Sequence, residues 1–302
     1  MTRSSTDRAY ASAFLAVLIW ALVPVATRYF VQRVDPYVFN VIRFLACGGA
    51  ALPLCIRIKP WRWTTRDQLL LLACAALSVP GYNLPFALGA RSVPAGELGV
   101  LIATESVMIA ALTLFIQRRP VHWTVIGGST VALAGVTLTS GILTARHGMH
   151  WVGTLEVLSG ALSWSCYTVM AGPLNQRHGT LGVTGAILVV GTLMLLVLCV
   201  PMVDSRAMPD WQTIAMLAAM GVTSSLVGFL FWNYAGTVLA PERLGLFLYL
   251  IPLVSICAGA ELLAESLTLT MVLGAALVVG GVWLASRRSP PLTAAVSEQG
   301  AR

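Results

Sequence analysis

The chain has 302 residues, 57% of them hydrophobic and 10% charged, with a mean hydropathy of +0.82. A soluble domain carries about 25% charged residues, so this composition excludes an ordinary water-soluble globule and points to a chain that lives in lipid. The net charge of +7 invites a nucleic-acid reading, but the cations cluster at the ends of apolar segments and form no patch, so no nucleic-acid partner is expected.

A helix needs about 20 apolar residues to cross the hydrocarbon core. Ten segments meet that length, near 11–30, 37–56, 67–88, 95–116, 123–143, 151–171, 181–202, 211–234, 243–263 and 268–286. The expected fold is therefore an all-α integral membrane protein with ten transmembrane helices. The first segment has the look of a signal peptide, with Arg3 and Arg8 before it and Val23-Pro24-Val25-Ala26 near its end. Its removal would leave nine helices and destroy the repeat described below, so it is read as the first crossing. Trp20 lies mid-helix there, with Pro24 four residues on and on the same face.

The second segment carries an intramembrane cation, Arg43. The third reads Val79-Pro80-Gly81-Tyr82-Asn83-Leu84-Pro85-Phe86. Two prolines and a glycine so close cannot form a regular helix. Broken backbone at membrane depth is tolerated only where protein buries it or it lines a water-filled cavity. Tyr82, Asn83 and Phe86 are therefore candidate cavity residues. Mid-way along the fourth segment stands Glu105. A carboxylate at that depth costs about 2.5–3.5 kcal/mol on insertion scales, so it must be protonated, paired or wet. Two readings stay open: a proton-coupling acid or contact for a substrate amine, and a buried structural hydrogen bond. Arg43 either pairs with Glu105 or caps a helix end.

In the sixth segment Trp164 repeats the mid-helix place of Trp20, with Tyr167 one turn on. The eighth carries Trp232, Asn233 and Tyr234. In the ninth, Pro252 frees a carbonyl one turn beyond Tyr249. Each of these either lines a cavity or packs. Gly128 and Ala132, Ala276 and Gly280, and Gly281 and Ala285 follow the small-xxx-small spacing, as a close helix seam within the chain or as a dimer seam. The six cysteines lie in apolar segments and make no CxxC; they read as small fillers. His122, His147, His150 and His178 fall in or beside loops and read as solvated. No residue set has metal-ligand spacing, and neither a catalytic group nor a cofactor is expected. Residues 289–302 are expected to be a disordered cytoplasmic tail.

Residues 98–139 and 244–285 align without a gap, 146 positions apart, with Leu98/Leu244, Gly99/Gly245, Gly128/Gly274 and Gly135/Gly281 coinciding. The chain is thus two copies of one unit, expected at 1–143 and 144–288. Five helices are an odd number, so the two copies must enter the membrane in opposite senses, as in inverted-repeat transporters whose substrate site lies near the midplane. With the N-terminus inside, 13 of the 19 Lys and Arg fall on the cytoplasmic side and 5 outside, as the positive-inside rule asks. Both termini are then cytoplasmic, in a bacterial-type inner membrane. The hinge 117–120 faces in, and the hinge Ala264-Glu265-Ser266 faces out.

The sequence resembles a ten-helix, EamA-type member of the drug/metabolite transporter superfamily over about residues 11–288. The resemblance rests on Trp232-Asn233-Tyr234-Ala235, Leu246-Phe247-Leu248-Tyr249-Leu250-Ile251-Pro252, Ala264-Glu265-Ser266-Leu267-Thr268 and Gly280-Gly281. Trp20, Ile42-Arg43-Phe44 and Phe86-Ala87-Leu88-Gly89-Ala90 add to it in the first half. Two departures stand out: Gln117-Arg118-Arg119 replaces the usual Gly-Glu-Arg, and Ser106 sits where a proline is common. The resemblance implies a secondary transporter of small organic metabolites working by alternating access. A chamber lined by Trp20, Tyr82 and Trp164, joined by Asn83 and Asn233, has few fixed charges and suits neutral or zwitterionic solutes with an apolar part. Amino acids and related amphipathic compounds are the expected class, moved outward. Drug efflux, sugar-type transport, a channel and a membrane-embedded enzyme are the alternatives, though none of HExxH, paired Asp or a Ser/His set is present to serve an enzyme. The partners expected are a small-molecule substrate and the bilayer; monomer and homodimer both stay open.

Overall fold

The structure of the protein, a computed structural model, describes residues 3–116, 123–139, 151–204, 208–263 and 269–286. Both hinges, His122, His147, His150 and the tail lie outside the described residues. The described chain forms ten helical rods. They are α1 (Ser5–Val31), α2 (Pro36–Ile58), α3 (Thr65–Gly89), α4 (Ala95–Ile116) and α5 (Trp123–Thr139), then α6 (Trp151–His178), α7 (Thr180–Cys199), α8 (Trp211–Val238), α9 (Pro241–Leu263) and α10 (Leu269–Ser286). Seven are long and apolar enough to cross a bilayer by length and composition. The others are α5, α6 and α10. Apolar stretches Ile126–Gly135 and Val272–Gly281 lie within α5 and α10, and α6 is more polar, with Glu156 near its start and Asn175-Gln176-Arg177-His178 at its end.

Local chemistry sets the ends. Asp35 caps α2 by accepting from the Tyr37 N–H at 2.8 Å, and Thr64 caps α3 through the Asp67 N–H. Asp210 caps α8, accepting from the Thr213 N–H at 2.7 Å; that bond holds its carboxyl below the usual carboxylate range. Helix α6 outruns its expected end at 171. Pro173 removes one backbone bond without stopping the helix, which ends at Gly179 with φ +82°.

Interior breaks fall where the sequence carries proline or glycine. Helix α1 breaks at Leu22, and Pro24 then sits in the first turn of Val23–Val31. Helix α3 breaks at Val79 before Pro80–Gly89. Helix α8 contains a π-helical turn at Gly221–Val227, and α9 a 3₁₀ turn at Leu246–Tyr249 ahead of Pro252.

Packing makes the repeat visible. Helices α2, α4 and α5 lie against α7, α9 and α10, while α1 lies against α8 and α3 against α6. Advancing each label by five, with α10 returning to α5, maps this pattern onto itself: α1–α8 becomes α6–α3. Single residues obey the same exchange. A Cβ at Gly135 would run into the carbonyl of Gly274, and one at Gly281 into the carbonyl of Gly128. Likewise Gly99 faces Pro252 and Ser255, while Gly245 faces Ser106 and Ile109. Every partner lies 146 positions from its counterpart. Two five-helix units of opposite sense thus pack about a pseudo-two-fold axis. Exposed Trp61 and Trp123 stand at one end of the bundle, and Trp151 and Trp211 at the other, as an interfacial aromatic belt requires.

Candidate functional site

Where the two units meet at mid-height, the helices leave a cavity of about 450 Å³, counting its mouth. Trp20, Val23, Arg43, Tyr82, Asn83, Ile102, Glu105, Trp164, Ser224, Ser225, Phe229, Leu248 and Ile251 line it. Seven helices, α1, α2, α3, α4, α6, α8 and α9, contribute.

The aromatic wall centres on the repeat-related pair. Trp20 meets Trp164 edge-on, with ring centroids 5.2 Å apart. Trp164 also touches Tyr82 at 5.3 Å and Phe229 at 5.0 Å. Trp20 donates its Nε1–H to the Ser224 carbonyl at 2.8 Å. Gly228 makes this possible, because a Cβ there would collide with the Trp20 indole. Aromatic pairs in such arrangements contribute about 0.5–1.5 kcal/mol beyond area burial, so the wall is a stiff surface.

Two groups of opposite charge face the same space. Arg43 donates through Nη2 to the Ser224 and Ser225 hydroxyls at 3.3 and 3.4 Å, and its guanidinium lies 4.9 Å from the Phe39 ring centroid. Its Nε has no partner. Glu105 is buried, and its Oε1 also lacks a partner. The two are not ion-paired to each other, so the pairing reading fails: the π-helical turn of α8 brings two hydroxyls to Arg43 instead. Glu105 makes no structural side-chain hydrogen bond, so that second reading lacks support as well.

Asn83 has a structural task beside its place on the wall. Its Nδ2 donates to the carbonyls of Ser78 and Val79, both at 3.1 Å, across the break in α3. That is how a proline-broken helix keeps its carbonyls satisfied inside a membrane.

Of the residues singled out from sequence, Trp20, Arg43, Tyr82, Asn83, Glu105 and Trp164 come together here. The others do not. Pro24 is buried in the first turn after the break at Leu22 and does not line the cavity. Phe86 stacks behind Tyr82 at 5.6 Å. Tyr167 is fully buried and donates its OH to Asn233 Oδ1 at 2.7 Å. Trp232 and Asn233 line a second, smaller cavity. Tyr249 packs among Val100, Ala103, Ala132 and Val278, away from the opening. His178 is not merely solvated: it stacks on Trp63 at 4.0 Å and bonds Asp67 at 2.9 Å. The reading of sequence missed Ser224, Ser225 and Phe229. The one available signal was Gly221 and Gly228 bracketing a Thr-Ser-Ser run.

The family model of the EamA-like transporter family matches residues 7–141 and again 151–287. Among known proteins, a "probable terminal-alkyne amino-acid exporter" of Streptantibioticus cattleyicolor is 29% identical over 81% of this chain and 80% of its own. The threonine/homoserine exporter RhtA of Salmonella typhimurium is 26% identical, with 82% of each chain covered. A crystal structure with a TM-score of 0.72 at 19% identity covers 94% of this chain and 97% of its own, a likeness of fold.

Proposed function

Because the chain belongs to the EamA-like transporter family, we propose that it is a secondary transporter exporting amino acids or related amphipathic metabolites by alternating access around the central cavity. The observation that carries this reading is Arg43 and Glu105, opposite in charge, not ion-paired to each other and each with a partnerless buried atom, within one aromatic-walled space. A zwitterion supplies what each lacks. Its carboxylate meets the spare donors of Arg43, its ammonium meets Glu105, and its side chain lies on Trp20, Tyr82 and Trp164. A charge pair at 4 Å gains about 4 kcal/mol at an effective dielectric constant near 20, which offsets part of the desolvation of the solute.

Glu105 also gives the carrier a coupling rule. Its carboxylate holds either a proton or the solute's ammonium, so each exchange of one for the other links solute export to proton entry. Tyr82 and Arg43 are the titratable and charged neighbours on this cavity. The export relatives support the direction and the solute class. The cation asymmetry supports cytoplasmic termini, in a bacterial-type inner membrane. A second reading, efflux of flat apolar cations, draws on the aromatic wall together with Glu105.

The test is uptake by purified protein in liposomes, scanned over amino acids, aromatic cations, sugars and sugar phosphates. Saturable amino-acid flux accelerated by an opposing proton gradient is expected. Transport of a sugar phosphate with no amino-acid flux overturns the reading, and flux of aromatic cations alone selects the second.

A further inference from the structure

A second cavity lies between the last turns of α6, the last turns of α8 and the first turn of α9. Thr168, Gly172, Asn175, Trp232, Asn233 and Gly236 contribute to its wall. Each of its polar side chains is more than nine-tenths buried. Three of their atoms have no partner: Thr168 Oγ1, Asn175 Oδ1 and Trp232 Nε1. A buried polar atom without a partner costs about 1–3 kcal/mol, and three belong to the side chains that line this one space. The network beside them is complete. Asn233 Oδ1 accepts from Tyr167 OH and from Asn175 Nδ2, and Asn233 Nδ2 donates to Thr184 Oγ1 at 3.0 Å. That network fixes the Asn175 amide, leaving its Oδ1 for a guest.

The cavity lies on the same track as the central one. On α6, Trp164, Thr168 and Gly172 follow at intervals of four, with Asn175 three further on. On α8, Ser225, Phe229, Asn233 and Gly236 follow at intervals of four, four and three. Helical spacing keeps each set on one face. Trp232 stands between the two spaces, touching Trp20 at 5.2 Å and Trp164 at 6.1 Å. The track is lined with small residues beyond Trp232, and a Cβ at Gly172 would meet nothing within 4 Å.

We propose that this second cavity is a further binding station for the α-amino-carboxylate head of a zwitterionic solute, entered or left through the end of the bundle that carries the α6–α7 turn. The chemistry selects the guest. Asn175 Oδ1 accepts from an ammonium, while Trp232 Nε1 and the Thr168 hydroxyl donate to a carboxylate. A metal cation does not suit a wall that presents an indole N–H, and the lining residues carry no charge. Neutral dipoles hold a zwitterion more weakly than Arg43 and Glu105 do, so the station passes its guest on without trapping it. This assignment rests on the proposed amino-acid export.

The experiment uses the full-length protein in liposomes and in nanodiscs, with L-phenylalanine as solute and 3-phenylpropionate, which lacks the amine, as competitor. Three variants are compared with the wild type: Asn175→Leu, Thr168→Val and Gly172→Leu, the last filling the space without deleting a polar group. L-Phenylalanine flux should fall about ten-fold or more in Gly172→Leu and Asn175→Leu and several-fold in Thr168→Val. Equilibrium binding at the central cavity should stay within about two-fold of wild type. Asn175→Leu should also discriminate less between L-phenylalanine and 3-phenylpropionate. Flux within two-fold of wild type in Gly172→Leu and Thr168→Val overturns the station. So does an equal loss of binding and flux with unchanged discrimination, which marks a structural or water-filled void. If the wild type moves no amino acid, the export reading itself fails, a result separate from any variant's.

Discussion

Glu105 sits where a carboxylate costs about 2.5–3.5 kcal/mol, with one oxygen unpartnered. A residue retained at such cost without a structural bond should be removable without harm to the fold. Glu105→Gln is therefore expected to keep or raise the melting temperature, while transport loses its pH dependence; an unchanged pH profile would show the carboxyl to be a bystander. The tryptophan pair makes a different prediction. Trp20→Ala or Trp164→Ala should weaken transport of bulky apolar amino acids about ten-fold more than that of small ones, measured as competition against a common solute. An equal loss for all would assign both rings to packing. These residues were legible because Trp, Glu and Asn at mid-membrane are costly or conspicuous. Ser224, Ser225 and Phe229 were not, since serine and phenylalanine are common in transmembrane helices and the glycines at 221 and 228 do not by themselves mark a π-helical turn. Pro24 and Tyr249 were misplaced because the facing of a side chain depends on helix rotation.

At the level of the helix, the seam between α5 and α10 is made by absence of side chains. Gly135 and Gly281 each lie against a carbonyl of the opposite helix. Overpacking at such a point costs about 1–3 kcal/mol. Gly281→Leu should lower the melting temperature by several degrees in detergent, with Gly280→Leu, which meets open space, as the harmless neighbour. Equal melting for the two would remove the seam's claim to hold the units together. The small-residue spacing in the sequence had left a dimer seam open as well. The structure uses Gly128, Ala132 and Gly281 within the chain, because the helix that fits them is their own repeat partner.

Across the whole molecule, the two units were readable from the 146-residue offset and the odd helix count, whereas the pairings α1–α8 and α3–α6 were not. A repeat specifies two like objects; it does not specify how their surfaces interlock. The opposite sense of the units carries a direct check. Cysteines placed singly at Arg62 and Asp210, both exposed, in a cysteine-free background should react with an impermeant reagent from opposite sides of the membrane. Reaction of both from one side would dismantle the inverted arrangement.

The two-fold is broken at one corner of the bundle. Asp67 at the start of α3 binds Arg177 and His178 at the end of α6, across the two units. The equivalent corner, between the start of α8 and the end of α1, has the residues for such a tie but turns them inward on their own helices. Asp210 caps Thr213, and Arg33 donates to the Tyr29 carbonyl and covers the Tyr29 ring. A two-fold machine with identical corners would rest equally in either of its exchanged poses, like a level seesaw. A single clasp weights one side. Asp67→Asn should move the poses toward parity, seen as a distance distribution between spin labels at the two corners; an unchanged distribution would show that the clasp carries no bias. On the proposed alternating access, a carboxylate at the rim, far from the central cavity, thus biases which way the carrier rests.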